Sequence, residues 1–411
     1  MCGFIAHWEN EVPNTHFVLR RGPHLTNSVT INGFTFIHYL LHITGLVTPQ
    51  PFVNEDIVCL FNGEIYNHSF SCSDGEVIIP LYKKYGEHFA KHLDGEFAIA
   101  IYDFAKEQAI FCTDAFGTKP LWINGLTAAS YGSCLGGTEV PPNTIIVRSF
   151  NLDTEIENIY EFDFRHQVKN NYDDWIMAFE NAIAKRAYDN CFIGLSSGYD
   201  SGAIACELAR QSVAFTAYSI AGSEDVALLK KRLEMVNGKL LYCDEIEYKK
   251  VKAYIKQYAE EYDYSSVHGG PIHCKDMTDD WGAVGSALLY REAKTDGRKV
   301  CLCGQGADEI LSDYSLYPDV STLHGVFPDT LHIWPNFFEG CQHAYLRKEE
   351  NIAGCYGIEA RYPFLDRNLV QEFLWLSPEL KNRAYKAPID YYLNKHGYPF
   401  LANKKIGFSA I

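Results

Sequence analysis

Residues 191–205 read Cys191-Phe192-Ile193-Gly194-Leu195-Ser196-Ser197-Gly198-Tyr199-Asp200-Ser201-Gly202-Ala203-Ile204-Ala205. Phe192, Ile193 and Leu195 form a short apolar run of the kind buried in a strand. Ser196, Ser197 and Gly198 break it, and from Ser201 onward the apolar residues Ile204 and Leu208 recur at helical spacing. Strand, small-residue loop and helix together can hold phosphate. Small side chains let backbone N–H groups approach an anion, and the helix turns its positive end toward it. Asp200 would repel phosphate unless a cation lay between, so the loop predicts Mg²⁺. No G-K-[ST] follows, so this is not a Walker loop. A plain strand-to-helix turn without a ligand fits the same residues.

Strands and helices alternate beyond the loop. Phe215 to Ile220 reads as a strand, Asp225 to Val236 carries Val226, Leu229, Leu233 and Val236 at helical spacing, and Lys239 to Cys243 reads as a strand again. This alternation predicts a parallel sheet covered by helices, with ligands at the carboxyl ends of the strands. Pro141-Pro142-Asn143 and the weakly patterned stretch from Asn151 to Tyr172 mark a boundary. A chain of 411 residues accommodates two domains, here 1–155 and 170–411.

The formal net charge of −16 argues against nucleic acid and anionic membrane as partners. The 13 cysteines are odd in number and form no C-x-x-C pair, and no basic and apolar leader precedes them. A reducing, cytoplasmic setting is expected. No apolar run is long enough to span a bilayer.

The chain begins Met1-Cys2-Gly3-Phe4. Removal of Met1 would leave Cys2 with both a thiol and an α-amine, and an amine of pKa about 8 can serve as base toward the thiol. A buried cysteine opening a strand is the other reading. Alternating apolar residues at 97–102 and 108–112 predict a hairpin, and Val77 to Tyr85 has helical spacing.

Four further stretches accompany Cys2: Asp56 to Asn67 (D-I-V-C-L-F-N-G-E-I-Y-N), Ser73 to Ile78, His92 to Asp103, and Asp114 to Leu121. Together they resemble the class II glutamine amidotransferase domain of the asparagine synthetase family over most of residues 1–150. Ser196 to Ser201 resembles the S-G-G-x-D-S loop of the N-type ATP pyrophosphatases, with Ser197 replacing a glycine. Cys303-Gly304-Gln305-Gly306-Ala307-Asp308-Glu309 resembles the synthetase motif S-G-E-G-[AS]-D-E. Tyr356 to Asp366, which alone reads as a helix end and turn, resembles G-x-E-A-R-x-P-F-L-D, and Asn403 to Phe408 resembles R-x-K-x-x-F.

The resemblance implies an N-terminal αββα Ntn sandwich and a parallel-sheet α/β (HUP-like) synthetase domain. It implies that Cys2 attacks the glutamine amide, with Asn62 and Gly63 at the oxyanion hole and Asp74, Asn62 and Glu64 binding glutamine. ATP would lie on Leu195, Ser196, Ser197, Gly198, Asp200, Ser201 and Gly304, with Mg²⁺ on Asp200 and Asp308. Gln305, Glu359 and Arg361 would face the acceptor, and Lys405 would oppose the charge of an adenylate. Ammonia would cross a tunnel between domains to an acyl-adenylate. Aspartate is the default acceptor and a specialised carboxylate the competitor. A homodimer is one candidate assembly.

Three departures bear on chemistry. The H-x-R-L-x-I context aligns with His38-Tyr39-Leu40-Leu41-His42-Ile43, which puts Leu40 where an arginine would hold the glutamine α-carboxylate. Arg20 and Arg21 are the candidates to replace its charge. The D-R-F-G motif carries Ala115 in place of its arginine, a loss of less weight. Gln305 stands where asparagine synthetases have Glu, and an amide has no useful basicity. Glu309, Glu359 or a substrate phosphate would then be the base. The stretches 265–296 and 314–338 match no motif and are expected to shape the acceptor pocket.

Two alternatives compete with amidotransfer: an amide-forming cyclase of β-lactam or lasso-peptide type with a vestigial glutaminase, and a non-catalytic sensor or partner protein. Cys2, Asn62 and Asp74 argue against the first. The acidic pair Asp200 and Asp308 argues against the second.

Overall fold

In the first half of the chain, apolar residues alternate along strands that must bury one or both faces, and two stacked sheets result. The computed structural model describes residues 1–222, 224–261, 277, 280–311 and 326–404. They fall into two units. The first comprises Met1–Glu161, Tyr258–Glu260 and Ala353–Glu359, and the second comprises Phe162–Gln257, Glu261–Ile352 and Ala360–Ile411.

The strands of the first unit are β1 (Gly3–Trp8), β2 (Leu25–Ile31), β3 (Phe34–Leu40), β4 (Phe52–Asn54), β5 (Ile57–Ile65), β6 (Gly95–Asp103), β7 (Gln108–Thr113), β8 (Trp122–Asn124), β9 (Thr127–Ala129), β10 (Thr138–Glu139), β11 (Thr144–Ser149) and β12 (Thr154–Asn158). One antiparallel sheet runs β10-β8-β9-β1-β3-β2 and the other β12-β11-β7-β6-β5-β4. Phe4, Phe34 and Phe36 from the first sheet meet Val58, Leu60, Ala100 and Tyr102 from the second in a core between them. The outer face of the second sheet packs on helix α1 (Ile78–Tyr85) through Ile99, Ile101, Ile78 and Tyr82. The outer face of the first sheet packs on the turn Val18–Arg20 and the short helix α2 (Gly132–Leu135). The expected hairpin is present, with Ile101 opposite Ile110.

The second unit is built around helix α3 (Asp173–Arg186), β13 (Cys191–Gly194), α4 (Tyr199–Arg210), β14 (Phe215–Ile220), α5 (Val226–Met235), β15 (Gly238–Leu241), α6 (Glu245–Tyr258), α7 (Trp281–Thr295), β16 (Val300–Leu302), α8 (Ala307–Leu311), α9 (Cys341–Tyr356), β17 (Glu359–Arg361), α10 (Arg367–Trp375), α11 (Pro378–Lys381) and α12 (Ala387–Lys395). The sheet order is β15-β14-β13-β16-β17, and β15, β14, β13 and β16 run parallel. The stretch 356–366 holds a strand as well as a turn. Helix α9 ends at Tyr356, Gly357 turns with φ +65°, β17 follows, and Pro363–Leu365 makes one turn of 3₁₀ helix. Among the described residues no helix is long and apolar enough to cross a membrane.

Candidate active site

In the first unit, Cys2 sits just before β1 and lines a small cavity of about 60 Å³ with Leu40, Gly63, Glu64, Asp74 and Glu359. The backbone around Cys2 is held by Arg21, a fully buried side chain whose Nε donates to the Cys2 carbonyl at 2.9 Å. The Arg21 guanidinium also donates to the Tyr131 hydroxyl at 3.0 Å. Burial pushes the Cys2 thiol up to about 11, opposed by the terminal ammonium and the Leu41 N–H. Burial also lowers the chain's terminal amine to about 6, so that it is largely neutral at pH 7 and able to accept a proton. That amine belongs to Met1 and lies 3.8 Å from Glu359 Oε2. Loss of Met1 transfers the amine to Cys2.

Gly63 has φ +145°, and a Cβ there would stand 1.9 Å from the Glu96 carbonyl oxygen, so only glycine fits the close pairing of β5 with β6. Asn62 does not line the cavity. It is fully buried on β5, and neither polar atom of its amide has a partner. An unpartnered buried amide is costly, and it is the kind of donor that an oxyanion would satisfy. Asp74 opens a 3₁₀ turn and accepts the Ile65 N–H at 2.7 Å. Neither Arg20 nor Arg21 lines the cavity. Arg20 stacks 3.7 Å from the Tyr258 ring, and Arg21 is spent on the backbone of Cys2.

The second unit holds a larger cavity of about 220 Å³ at the carboxyl ends of β13 and β16. Ser196, Gly198, Asp200, Ser201, Gly304, Gln305 and Asp308 line it. The loop is tightly bonded within itself. Ser201 Oγ accepts the Ser196 N–H at 2.9 Å, and Ser196 Oγ accepts the Gly198 N–H at 3.1 Å. Arg232, buried behind the loop, donates to the carbonyls of Ser196 and Gly198 at 2.5 and 2.8 Å. Leu195 lies buried at the loop's entrance, and its N–H donates to the Tyr218 carbonyl at 2.8 Å. Ser197, the departure from glycine, points away from the cavity. Its N–H donates to Glu224 Oε2 at 2.7 Å, and its hydroxyl bonds the same oxygen. Gly304 lets the two loops meet, since a Cβ there would lie 2.9 Å from Asp200 Cβ.

Asp200 and Asp308 face a common point, and that point is held by Lys386. Its Nζ lies 2.6 and 2.7 Å from the two Asp200 oxygens and 2.8 Å from Asp308 Oδ1. The Tyr385 hydroxyl donates to Asp308 Oδ1 at 2.9 Å. Lys386 is buried in the left-handed backbone region (φ 49°) just before α12, and the carboxylates hold its ammonium well above the usual lysine range against burial. Two carboxylates sharing one cation suit a hard ion with oxygen ligands. The described residues contain no group of three or more His, Cys, Asp or Glu able to hold a metal.

Gln305 Nε2 donates to Glu349 Oε2 at 3.4 Å. Glu349 on α9 lines the same cavity, is buried, and also accepts the Tyr290 hydroxyl. Burial, reinforced by the neighbouring Glu350 charge, raises its carboxyl to about 8. Of the bases expected from sequence, Glu309 is buried and accepts the Gly306 N–H at 3.2 Å. Glu359 lines the Cys2 cavity rather than this one, and Arg361 lines neither, donating instead to the Arg186 carbonyl at 3.2 Å. Lys405 lies outside the described residues. Lys386 and Glu349 are the two site residues that sequence reasoning missed.

Comparison with known proteins finds matches for both halves of the chain. Residues 1–145 match the glutamine amidotransferase domain family, and residues 177–339 match the asparagine synthase family. The chain is 28% identical to a putative glutamine-hydrolysing asparagine synthetase of Methanocaldococcus jannaschii, over 86% of this chain and 72% of that protein. It is 26% identical to asparagine synthetase 1 of Saccharomyces cerevisiae over 93% of this chain and 77% of the other. It is also 26% identical to asparagine synthetase 2 of Oryza sativa over 81% of this chain, spanning only 60% of that longer protein. A solved NMN synthetase from Francisella tularensis matches 58% of this chain and 99% of its own at 15% identity, with a TM-score of 0.26. The chain thus carries a glutamine amidotransferase domain followed by an asparagine synthase domain, and it is similar along most of its length to glutamine-hydrolysing asparagine synthetases.

Proposed function

We propose that the chain is a cytoplasmic ligase that activates a small carboxylate with ATP and amidates it with nitrogen from a glutamine side chain. The observation that supports this most is the Asp200–Lys386–Asp308 cluster beside the serine–glycine loop, in a chain that also presents Cys2 in a cavity. In the first half-reaction an acceptor carboxylate oxygen attacks the α-phosphorus of ATP, and the bond to pyrophosphate breaks. Loop 196–201 receives the pyrophosphate. Asp200 and Asp308 would hold Mg²⁺, which supplies charge neutralisation among the phosphates. Lys386 keeps a positive charge where phosphoryl charge gathers, and Lys405 is proposed to assist it.

In the second half-reaction the Cys2 sulfur attacks the side-chain amide carbon, with Asn62 and Gly63 as donors to the oxyanion and Asp74 pairing the α-amine. Ammonia leaves, and water cleaves the thioester. Ammonia must arrive neutral at the acyl-adenylate, because its protonated form has no lone pair to attack with. As the C–N bond forms, the nitrogen loses a proton to the Glu349 carboxylate, and AMP departs with the electrons of the broken C–O bond. Gln305 orients Glu349 and does not itself take the proton.

The test is formation of AMP and pyrophosphate from ATP and Mg²⁺ against a panel of carboxylates, aspartate first, each with glutamine and with ammonium. Turnover on aspartate identifies an ordinary synthetase, and turnover on another acid identifies a specialised one. Absence of pyrophosphate release with every acid and either nitrogen source overturns the reading.

A further inference from the structure

Two cysteine sulfurs face the cavity of the second unit and take no part in the chemistry described for it. Cys301 lies on β16, in register with Phe192 of β13, and Cys303 follows just past the strand's end. Residues two apart on an extended segment point to the same side. Both side chains line the cavity that Gly304, Gln305 and Asp308 also line. Both are free thiols, and their sulfurs are 3.5 Å apart. The Cys303 sulfur also stands 3.6 Å from Glu349 Oε1, which is placed to take its proton. Burial pushes the Cys301 thiol well above the usual range. These surroundings set an order of reaction, with Cys303 first and Cys301 second.

Joining the two sulfurs needs little movement. They must close from 3.5 Å to about 2 Å. Two residues of extended chain span about 6.6 Å, near the upper end of the separations that a disulfide bridges. The bridge would therefore be strained, and strained disulfides are the readily reduced ones.

We propose that Cys301 and Cys303 form a reversible disulfide in the cavity wall, made by a peroxide, undone by a dithiol and inhibitory to ATP turnover. With hydrogen peroxide, the Cys303 sulfur attacks one oxygen and the O–O bond breaks. One oxygen stays on sulfur as a sulfenic acid, and the other leaves as water. The Cys301 sulfur then attacks the Cys303 sulfur, the S–O bond breaks, and the departing hydroxide takes the Cys301 proton as a second water. Two thiols are oxidised and one peroxide is reduced. The Cys303 N–H donates to the Arg361 carbonyl at 2.8 Å, and a Cβ on Gly304 would lie 2.9 Å from Asp200 Cβ. Contraction at 301–303 therefore disturbs the loop that carries Gln305 and Asp308. The loss of ATP turnover rests on the synthetase reading of this cavity, whereas the bridge itself does not.

The experiment treats the full chain with hydrogen peroxide, then with dithiothreitol, and follows two readouts. Peptide mass spectrometry after alkylation locates the bridge, and ammonium-driven pyrophosphate release measures turnover without using Cys2. The expected result is a bridge within the peptide that carries both cysteines, a rate at least about tenfold below that of the reduced chain, and recovery of both by dithiothreitol. Cys303→Ser, compared with its own reduced rate, should resist the peroxide. Cys301 and Cys303 that remain open to alkylation after peroxide overturn the bridge. A bridge that leaves the rate unchanged, or an equal loss in Cys303→Ser, overturns its hold on turnover. A reduced chain that releases no pyrophosphate with any acid overturns the synthetase reading instead, and the mass readout still decides the bridge. That readout on the wild type also decides it if the serine variant fails to fold.

Discussion

The cavity around Cys2 and the cavity around Asp200 are both lined by carboxylates, but the positive group beside them differs: the terminal amine lies 3.8 Å from Glu359 in the first, and a lysine side chain sits between two aspartates in the second. Lys386 lies within 2.8 Å of both Asp200 and Asp308, whereas Asp74, Glu64 and Glu359 share their wall with His42 and, among the described residues, with no lysine or arginine. In the second unit the carboxylates hold a positive charge, which in the proposed reading meets an anionic ligand. In the first, the proposed reading gives Asp74 the α-ammonium of glutamine to pair. The thiol shows the same field. Burial first, and the Glu359 and Asp74 charges after it, push Cys2 toward its protonated form, while burial lowers the terminal amine to about 6.

Removing Cys2 is the sharpest way to separate the two cavities. Cys2→Ala should lower ammonia release from a glutamine side chain by about 10³-fold or more, since nothing replaces the nucleophile. Pyrophosphate release driven by added ammonium should persist. If both activities fall together, the division of labour between the units is wrong. The converse variant, Asp200→Asn, should slow pyrophosphate release by about 10²–10³-fold with either nitrogen source. It leaves Lys386 with one carboxylate and removes one of two oxygen donors proposed for Mg²⁺. Unchanged release in that variant would mean that Asp200 only anchors the lysine.

These two cavities were unequally legible in the sequence, for a physical reason. Loop 196–201, Cys2, Asp74 and the hairpin of β6 and β7 are local patterns, in which spacing dictates geometry. Lys386 is 186 residues from Asp200 and sits in a turn ahead of α12, where nothing in the Tyr385-Lys386-Ala387-Pro388 sequence marks it as an active-site cation. Glu349 was hidden differently. Arg347-Lys348-Glu349-Glu350 reads as a solvated face, yet all four side chains are buried. A signal was present, because four consecutive helical residues point around the whole helix and cannot all face water. Glu359 belongs to a motif whose local form was readable, but its place beside Cys2 comes from a chain segment, 353–359, that returns to the first unit.

Glu349 permits a finer test of the second cavity, whose charge balance depends on pH. Its carboxyl is raised to about 8, so below that pH it is mostly protonated and unable to take a proton from the attacking nitrogen. Amide formation should rise with pH through about 8, measured with ammonia at a fixed concentration of its neutral form. Glu349→Gln should lower amide formation by about 10²-fold and abolish that limb, while pyrophosphate exchange into ATP stays near the wild-type rate. Gln305→Glu in the Glu349→Gln background should recover part of the loss, because it restores a carboxylate at hydrogen-bond range of the same position. A pH limb that survives Glu349→Gln assigns the base elsewhere.

The smallest expected effect concerns a carboxylate that the second unit matches completely. Asp366 is buried, bonds Lys185 at 2.7 Å and Arg186 at 2.9 Å, and accepts the Asn368 N–H at the start of α10. Despite burial, the two cations hold its carboxyl down at about 2, below the ordinary 3.8. A depressed carboxyl pKa means that the unfolded chain binds the proton more tightly. Its stabilisation is thus complete above about pH 4 and is lost as pH falls toward 2. The shift corresponds to about 2 kcal/mol. Asp366→Asn keeps the helix cap and removes the charge, so it should lower unfolding stability at pH 7 by roughly that amount and flatten the loss between pH 4 and pH 2 in urea titrations. No activity difference beyond the fraction unfolded is expected, since Asp366 lines neither cavity. If the variant kept the wild-type acid slope, Asp366 would be carrying no charge-dependent stability, and matched counterions in this unit would have to be read as serving its cavity alone.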